Sequence, residues 1–198
     1  MYKCILILIL IFSNNLFAQK VNTMPAIKQY KDEIGLSKDD IAIHLDNASR
    51  NELWIETNQK LNILYKNRFM NRKKVRELAP IIIESFAKIV IKDPSNIVAA
   101  YEGATSLALL YGFTGKMTKE YLTIFTQSLM DNNICIGYIY LAQAHAKGKL
   151  ETGKSYKMAY RVLSRGKSAC STQYVPINQI DAYGRALSRA RYFSQRSR

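Results

Sequence analysis

Histidine and tryptophan are nearly missing from this chain of 198 residues, at two and one, and proline (four) and glycine (nine) are sparse. With His44 and His145 far apart, neither a His-Glu-x-x-His helix nor paired Cys-x-x-Cys knuckles can be drawn, so no metal ligands are nominated. His145 follows Leu141 and Ala142 on an apolar helix face and reads as a packed core histidine, not as a base or ligand. Gly112 to Lys116 lacks the glycine spacing and the Lys-Ser/Thr pair that cradle phosphates, and reads as a helix–helix turn. Glu77 and Glu84, seven apart on one helix face, are the nearest approach to the carboxylate pair of a glycosidase. Solvated surface acids explain them more simply. No catalytic residue and no cofactor is therefore assigned.

One long apolar run is present, and it is at the start. Lys3 gives a positive first segment, Cys4 to Phe12 are unbroken apolar, Ser13 to Asn15 break the run, and Leu16-Phe17-Ala18 precedes Gln19. That order is a secretory leader cut after Ala18. The alternative, a retained anchor, needs about 20 apolar residues, roughly twice what is there. The reading places the protein in the periplasm or outside the cell.

Charge is of one sign toward the end. The chain carries 29 Lys and Arg against 15 acids, a net of +14, and residues 141–198 alone hold twelve basic residues against two acids. Inside a cell such a skew would suggest nucleic acid. Export turns the expectation away from nucleic acid and toward an acidic protein or peptide partner, or peripheral contact with an anionic membrane or envelope polymer. A plain solvated basic face is the alternative.

Without Cys4, two cysteines remain, Cys135 and Cys170, an even pair in an oxidising compartment. Cys135 falls at the start of one expected helix and Cys170 at the end of the next. Antiparallel helices would bring those ends together, so a disulfide is expected, with a buried thiol pair as the alternative. Closing a 35-residue loop stabilises by about 3–4 kcal/mol under the chain-entropy account.

Apolar residues recur at 3.6-residue spacing through most of the chain, while strand alternation is weak. Pro25 suits the first turn of a short helix carrying Ile27, Tyr30 and Ile34. Ser37-x-x-Asp40 and Ser49-x-x-Glu52 read as helix caps, the second opening a helix with Trp54, Leu61, Leu64 and Tyr65. Over residues 41–55 a short β-hairpin could also be drawn, though two successive caps favour helices. Val75, Leu78, Ile82, Phe86, Ile89 and Val90 form the next stripe. Pro80 interrupts it, so a kink or a restart is expected there.

The clearest organisation is a repeat. Thr114-Gly115-Lys116 recurs as Thr152-Gly153-Lys154, an offset of 38 residues. The same offset pairs Tyr101 with Ile139, Ala104 with Ala142, Ala108 with Ala146, Ile124 with Val162 and Phe125 with Leu163. Each unit is a first helix (about 97–111, then 134–147), a Gly-containing turn and a second helix (118–130, then 155–168). The first helices are apolar nearly all round, as suits elements covered on more than one side. After Pro176 a third unit begins, with Ile180, Tyr183, Leu187 and Ala190 inward and Arg185, Arg189, Arg191 and Arg196 largely outward; it has no second helix, so it reads as a terminal cap. A helix–turn–helix period of this length predicts an all-α fold of short α/α hairpins, solenoid-like. A helical bundle without true repeats is the alternative. The chain then divides into the leader (1–18), an N-terminal helical segment (19–70) and a repeat region (71–198) packed with it as one domain.

At Asp93-Pro94-Ser95-Asn96 leading into Ala100, Gly103, Ala104 and Leu107, the chain resembles the tetratricopeptide and Sel-one-like repeat families. So it does at Leu141-Ala142, Ala144-His145, Gly148, Lys157-Met158-Ala159 and Val162-Leu163. The resemblance spans about residues 75–170. Ala142 stands where those families favour Gly, and Lys157 and Ala159 are one residue out of register. The repeat, with no catalytic constellation beside it, points to an interaction module, and the resemblance to small exported Sel-one-like proteins implies the immunity role as well. Stacked units make an extended concave face, to which Tyr101, Tyr138 and the arginines Arg185, Arg189, Arg191 and Arg196 would contribute. Two other functions stay open at this point: a periplasmic immunity protein or inhibitor of a toxic effector, and a hydrolase acting on envelope material.

Overall fold

Downstream of Leu36 the 3.6-residue stripes become helices in the computed structural model, which describes residues 36–67, 72–111, 116–170 and 174–196. The leader, the helix expected at Pro25 and the Thr114-Gly115 pair lie outside the described residues. The described residues form α1 (Lys38–Ser49), α2 (Glu52–Asn67), α3 (Arg72–Lys92), α4 (Ile97–Tyr111), α5 (Lys116–Asp131), α6 (Ile136–Lys147), α7 (Tyr156–Ala169) and α8 (Tyr174–Arg196). No strand occurs among them, so residues 41–55 are helical and not a hairpin.

Local capping chemistry sets most of these boundaries. Ser37 caps α1 as expected, its Oγ accepting from the Asp40 amide at 3.1 Å. The cap of α2 is not Ser49. Ser49 stays inside α1, where its hydroxyl donates to the Asp46 carbonyl at 2.7 Å. Asn51 takes the role instead, its Oδ1 accepting from the Trp54 amide at 3.2 Å. Replacing Asn51 with Ala should therefore cost about 1 kcal/mol. Ser49→Ala should stay within about 0.5 kcal/mol of the parent, and urea unfolding of the two variants measures the difference.

Helix α3 runs unbroken through Pro80, so the expected restart does not occur. Arg76, whose carbonyl loses its amide donor to the proline ring, is exposed, and water can replace the missing bond. Meanwhile Ile82, Ile83, Phe86, Ile89 and Val90 are buried on the packed side and hold the helix in place. Asp93 and Asn96 then end one element and begin the next. The Asp93 carboxylate accepts from the Ser95 amide at 3.1 Å, and Asn96 Oδ1 caps α4 through the Ala99 amide at 3.0 Å.

Consecutive helices pack as hairpins, α2 on α3, α4 on α5 and α6 on α7, and the hairpins stack. The first helices α4, α6 and α8 touch in succession, and α5 lies against both α3 and α4. Polar ties cross between units. Thr105 Oγ1 and the Tyr140 hydroxyl lie 3.0 Å apart, linking α4 to α6. The Ser128 hydroxyl and the Asn132 amide both donate to the Pro94 carbonyl, at 2.7 and 3.1 Å. The positions paired by the 38-residue offset answer each other, for Tyr101 and Ile139, Ala104 and Ala142, and Phe125 and Leu163 are all buried. The architecture is an all-α stack of short α/α hairpins.

Two hydrophobic clusters fill it. The larger gathers α1 to α5 with Ile136 and Ala144 of α6, and the smaller joins α6, α7 and α8 with Met130 of α5. Helix α1 folds back over α4, placing Ile41, Leu45 and Ala48 in the larger cluster. As a result every residue from Ile97 to Leu107 is buried.

Cys135 and Cys170 are bonded, with their Cα atoms 5.8 Å apart. Cys135 is the residue before α6 and Cys170 the one after α7, so the bond closes the end of that hairpin opposite its turn. At the turn itself Gly148 has φ +68°, and the Lys149 amide bonds back to the Ala144 carbonyl at 2.9 Å, a left-handed helix end that favours glycine. A Cβ at Gly148 would also crowd the Lys154 amide nitrogen at 2.9 Å. The hairpin is thus fastened at both ends.

Candidate functional site

The structure separates the residues nominated as a binding face. Tyr101 and Tyr138 are 2% and 3% exposed, members of the two cores, and cannot reach a partner. Tyr101 belongs to the core that α1 to α5 share, and Tyr138 packs against α7. Gly166 of α7 approaches so closely that a Cβ there would lie 2.7 Å from Tyr138 Cβ. Arg185, Arg189 and Arg191 are exposed on α8, whereas the side chain of Arg196 lies outside the described residues.

Helix α8 is seated by Ile180, Tyr183 and Leu187, as its stripe predicts, but Ala190 is exposed. The reason is length. Its 23 residues span about 35 Å, against about 18–21 Å for the 12 and 14 residues of α6 and α7. The last turns outrun the helices they would pack on. Tyr183 anchors the seated half: burial, aided by the nearby Tyr156, pushes its hydroxyl up to about 12.

Between α7 and α8 runs an open groove of about 480 Å³. Tyr160, Leu163, Ser164 and Lys167 line it from α7, and Ile180, Asp181, Gly184, Arg185 and Ser188 from α8. Those positions recur every three or four residues, so each helix contributes one continuous face. A second hollow of about 330 Å³ continues the groove along α8 past Ser188 to Arg191, Tyr192 and Gln195. Leu163 and Ile180 are buried and form an apolar floor. Two polar ties hold the walls together. The Tyr160 hydroxyl donates to Ser188 Oγ at 2.8 Å, and Lys167 pairs with Asp181 at 3.1 Å. From residue 156 to 196 the sequence has eight Lys or Arg and one acid, Asp181, which Lys167 already occupies. Of the charged residues that line the groove, Lys167 and Asp181 offset each other, and Arg185 and Arg191 make the α8 rim cationic.

Sequence reasoning did not find this groove, because it needs the pairing of two helices whose faces are unremarkable separately. It also missed Glu102, a carboxylate only 4% exposed on α4. A lone acid inside the apolar run Ile97 to Leu107 was the available signal. Glu102 sits within the core, away from the groove-lining residues. Glu77 and Glu84 are exposed, and Glu84 pairs with Lys88 at 2.8 Å. No group of three or more His, Cys, Asp or Glu is arranged to hold a metal ion among the described residues.

His145 is buried, as its apolar helix face predicts, and its Nδ1 lies 3.3 Å from the Thr152 hydroxyl. Its carbonyl accepts from the Ser155 amide at 2.9 Å, so the residue organises the α6–α7 turn. Burial lowers the imidazole from its ordinary 6.5, since the charged form is poorly hydrated there. As pH falls from 6.5 toward the lowered folded value, the unfolded chain takes up a proton that the folded chain refuses. Stability should therefore decline across that window. Comparing urea midpoints at about pH 7.5 and about pH 5 should give a smaller drop for His145→Asn than for the parent.

None of the described helices is long and apolar enough to cross a membrane. No protein-family model, curated protein or solved structure matches the chain.

Proposed function

We propose that this is an exported, non-catalytic interaction module that binds a protein or peptide partner in the cell envelope. The observation that carries the reading is the α7/α8 groove, which has Arg185 and Arg191 along its α8 rim and lies at the end of a stack of hairpins. Stacked helical hairpins present surfaces of this kind to other proteins, and the resemblance to tetratricopeptide and Sel-one-like repeats points the same way. The leader Met1 to Ala18 supplies the route out of the cell, and the Cys135–Cys170 bond is compatible with an oxidising compartment. The test is affinity purification of the tagged chain from native envelope, with N-terminal sequencing of the recovered protein. The expected result is a chain beginning at Gln19 with one partner in near-stoichiometric amount, released as salt is raised, because exposed charges are screened beyond about 8–10 Å at ordinary ionic strength. An uncleaved intracellular chain, or a purified chain that brings nothing with it, overturns the proposal.

A further inference from the structure

One pentapeptide pattern occurs twice near the end of the chain. Arg161-Val162-Leu163-Ser164-Arg165 on α7 returns as Arg185-Ala186-Leu187-Ser188-Arg189 on α8. In each copy the leucine is buried and both arginines are exposed. Two residues make just over half a turn of helix, so each buried leucine turns its flanking arginines to the opposite side. Exposed Lys157, two residues before buried Ala159, extends the α7 row by one turn.

The ties Tyr160–Ser188 and Lys167–Asp181 set α7 and α8 antiparallel and fix their register. Arg185 then comes level with Leu163, between Arg161 and Arg165, and Arg189 level with Ala159, between Lys157 and Arg161. The five cations alternate between the helices at steps of two residues, about 3 Å, over a length of about 12 Å. Carboxylates do not dilute them, for Asp181 is the one acid from residue 156 to 196 and Lys167 pairs with it. With Leu163 and Ile180 buried and the walls tied, the face offers charge and no apolar cleft.

We propose that this face docks on the anionic headgroups of a phospholipid bilayer, with α7 and α8 lying along the membrane surface. The proposal goes beyond partner binding and does not rest on it. Charge complementarity selects an anionic surface, and two features select a bilayer over an acidic protein. Protein interfaces are depleted of charge at their centre, whereas here the cations are the centre. Tyr192 follows Arg185 and Arg189 at i, i+4 and i+7, so it shares their side of α8 at the end of the row. It is 48% exposed, and tyrosine is a side chain that sits at headgroup level. Each basic residue near an anionic bilayer strengthens binding by about fivefold, so a row of five holds a protein there without a spanning helix.

The test is co-sedimentation with vesicles of phosphatidylglycerol and phosphatidylcholine in equal parts, and with phosphatidylcholine alone. The chain used begins at Gln19, so that the apolar leader cannot itself bind lipid. It should bind the anionic vesicles, leave them as salt is raised, and ignore the neutral ones. Replacing Arg161, Arg165, Arg185 and Arg189 together with Gln should weaken binding by about a hundredfold or more. Replacing Lys73, Arg76, Lys92 and Lys119 with Gln, all exposed on α3 and α5, removes the same charge from another face. That variant should stay within about threefold of the parent, since distant charges are screened. Both sets are exposed, so both variants should keep the parent's unfolding midpoint.

Tyr192→Ala should weaken vesicle binding several-fold and leave binding to soluble polyphosphate unchanged. Equal loss in the two fourfold variants overturns the proposal, because net charge alone then suffices. A Tyr192→Ala variant that binds vesicles as the parent does also overturns it, leaving a face for soluble polyanions or acidic proteins. Binding to neutral vesicles, or no binding at all, is equally fatal. A chain that fails on vesicles yet brings a partner out of envelope leaves the interaction module standing, and the converse sinks only that module.

Discussion

Replacing Cys135 and Cys170 together with alanine should remove about 3–4 kcal/mol of stability, the chain-entropy value for a 35-residue loop. Against a typical total of about 5–15 kcal/mol that is a large share. For a chain of this size it corresponds to a fall in Tm of about 6–16 °C. Both sulfurs are buried, so alanine avoids leaving a hydroxyl without a partner in the smaller core. The same loss should appear when the parent is unfolded in a thiol reductant, and the variant should then show no further change.

The damage should also be local. In a stack each hairpin leans on its neighbours, and opening propagates from the weakest interface. The bond fastens the end of the α6–α7 hairpin, while α8 rests on both of those helices. Hydrogen exchange should therefore quicken in α6, α7 and α8 well before α2 and α3. Uniform quickening along the chain would mean that the stack unfolds as one unit. In the variant the groove between α7 and α8 should loosen as well, since its two walls lose their common support.

Much of this could be read from the residues alone, and the reason is range. The ends of α4, α5, α6 and α7 fall within two residues of the expected ones, because periodic apolar positions and turn residues act over a few neighbours. The cysteine pair was legible because a hairpin turn fixes which helix ends meet. The misreadings each required a distant partner or a close contest. Ser49 and Asn51 both offer an oxygen near the start of α2, and only the bond from Ser49 back to Asp46 decides between them. Tyr101 has the spacing of a groove residue, yet it lies in a core to which the upstream helices α1, α2 and α3 contribute. Ala190 has the spacing of a buried residue, yet α8 outlasts its neighbours. The groove belongs to this second kind, for the faces of α7 and α8 acquire meaning only when set side by side.

Phe125 should be among the most costly side chains to truncate. It is fully buried between α4 and α5, and Phe125→Ala should lose about 3–5 kcal/mol, from the transfer of the ring and the cavity it leaves. Its ring occupies the space over Gly103, so that a Cβ at position 103 would overlap it. In an open helix Gly→Ala gains up to about 1 kcal/mol. Here the sign should reverse, because the fully buried ring would have to shift and overpacking costs about 1–3 kcal/mol.

The two positions should be strongly coupled. On a Phe125→Leu background, Gly103→Ala should recover part of the lost stability, and a double-mutant cycle should give an interaction of about 0.5–3 kcal/mol. Additive effects would mean that the ring does not depend on the missing Cβ. The next hairpin reverses the arrangement, with the small residue, Gly166, on the second helix and the ring, Tyr138, on the first. At the offset positions the first hairpin has Ala100 and Ser128, both buried and both small. Each hairpin thus achieves a close approach with a different pair of residues. That is why the repeat is plain in its spacing and faint in its identities: the fold requires one small residue against one large one, and either helix can supply either.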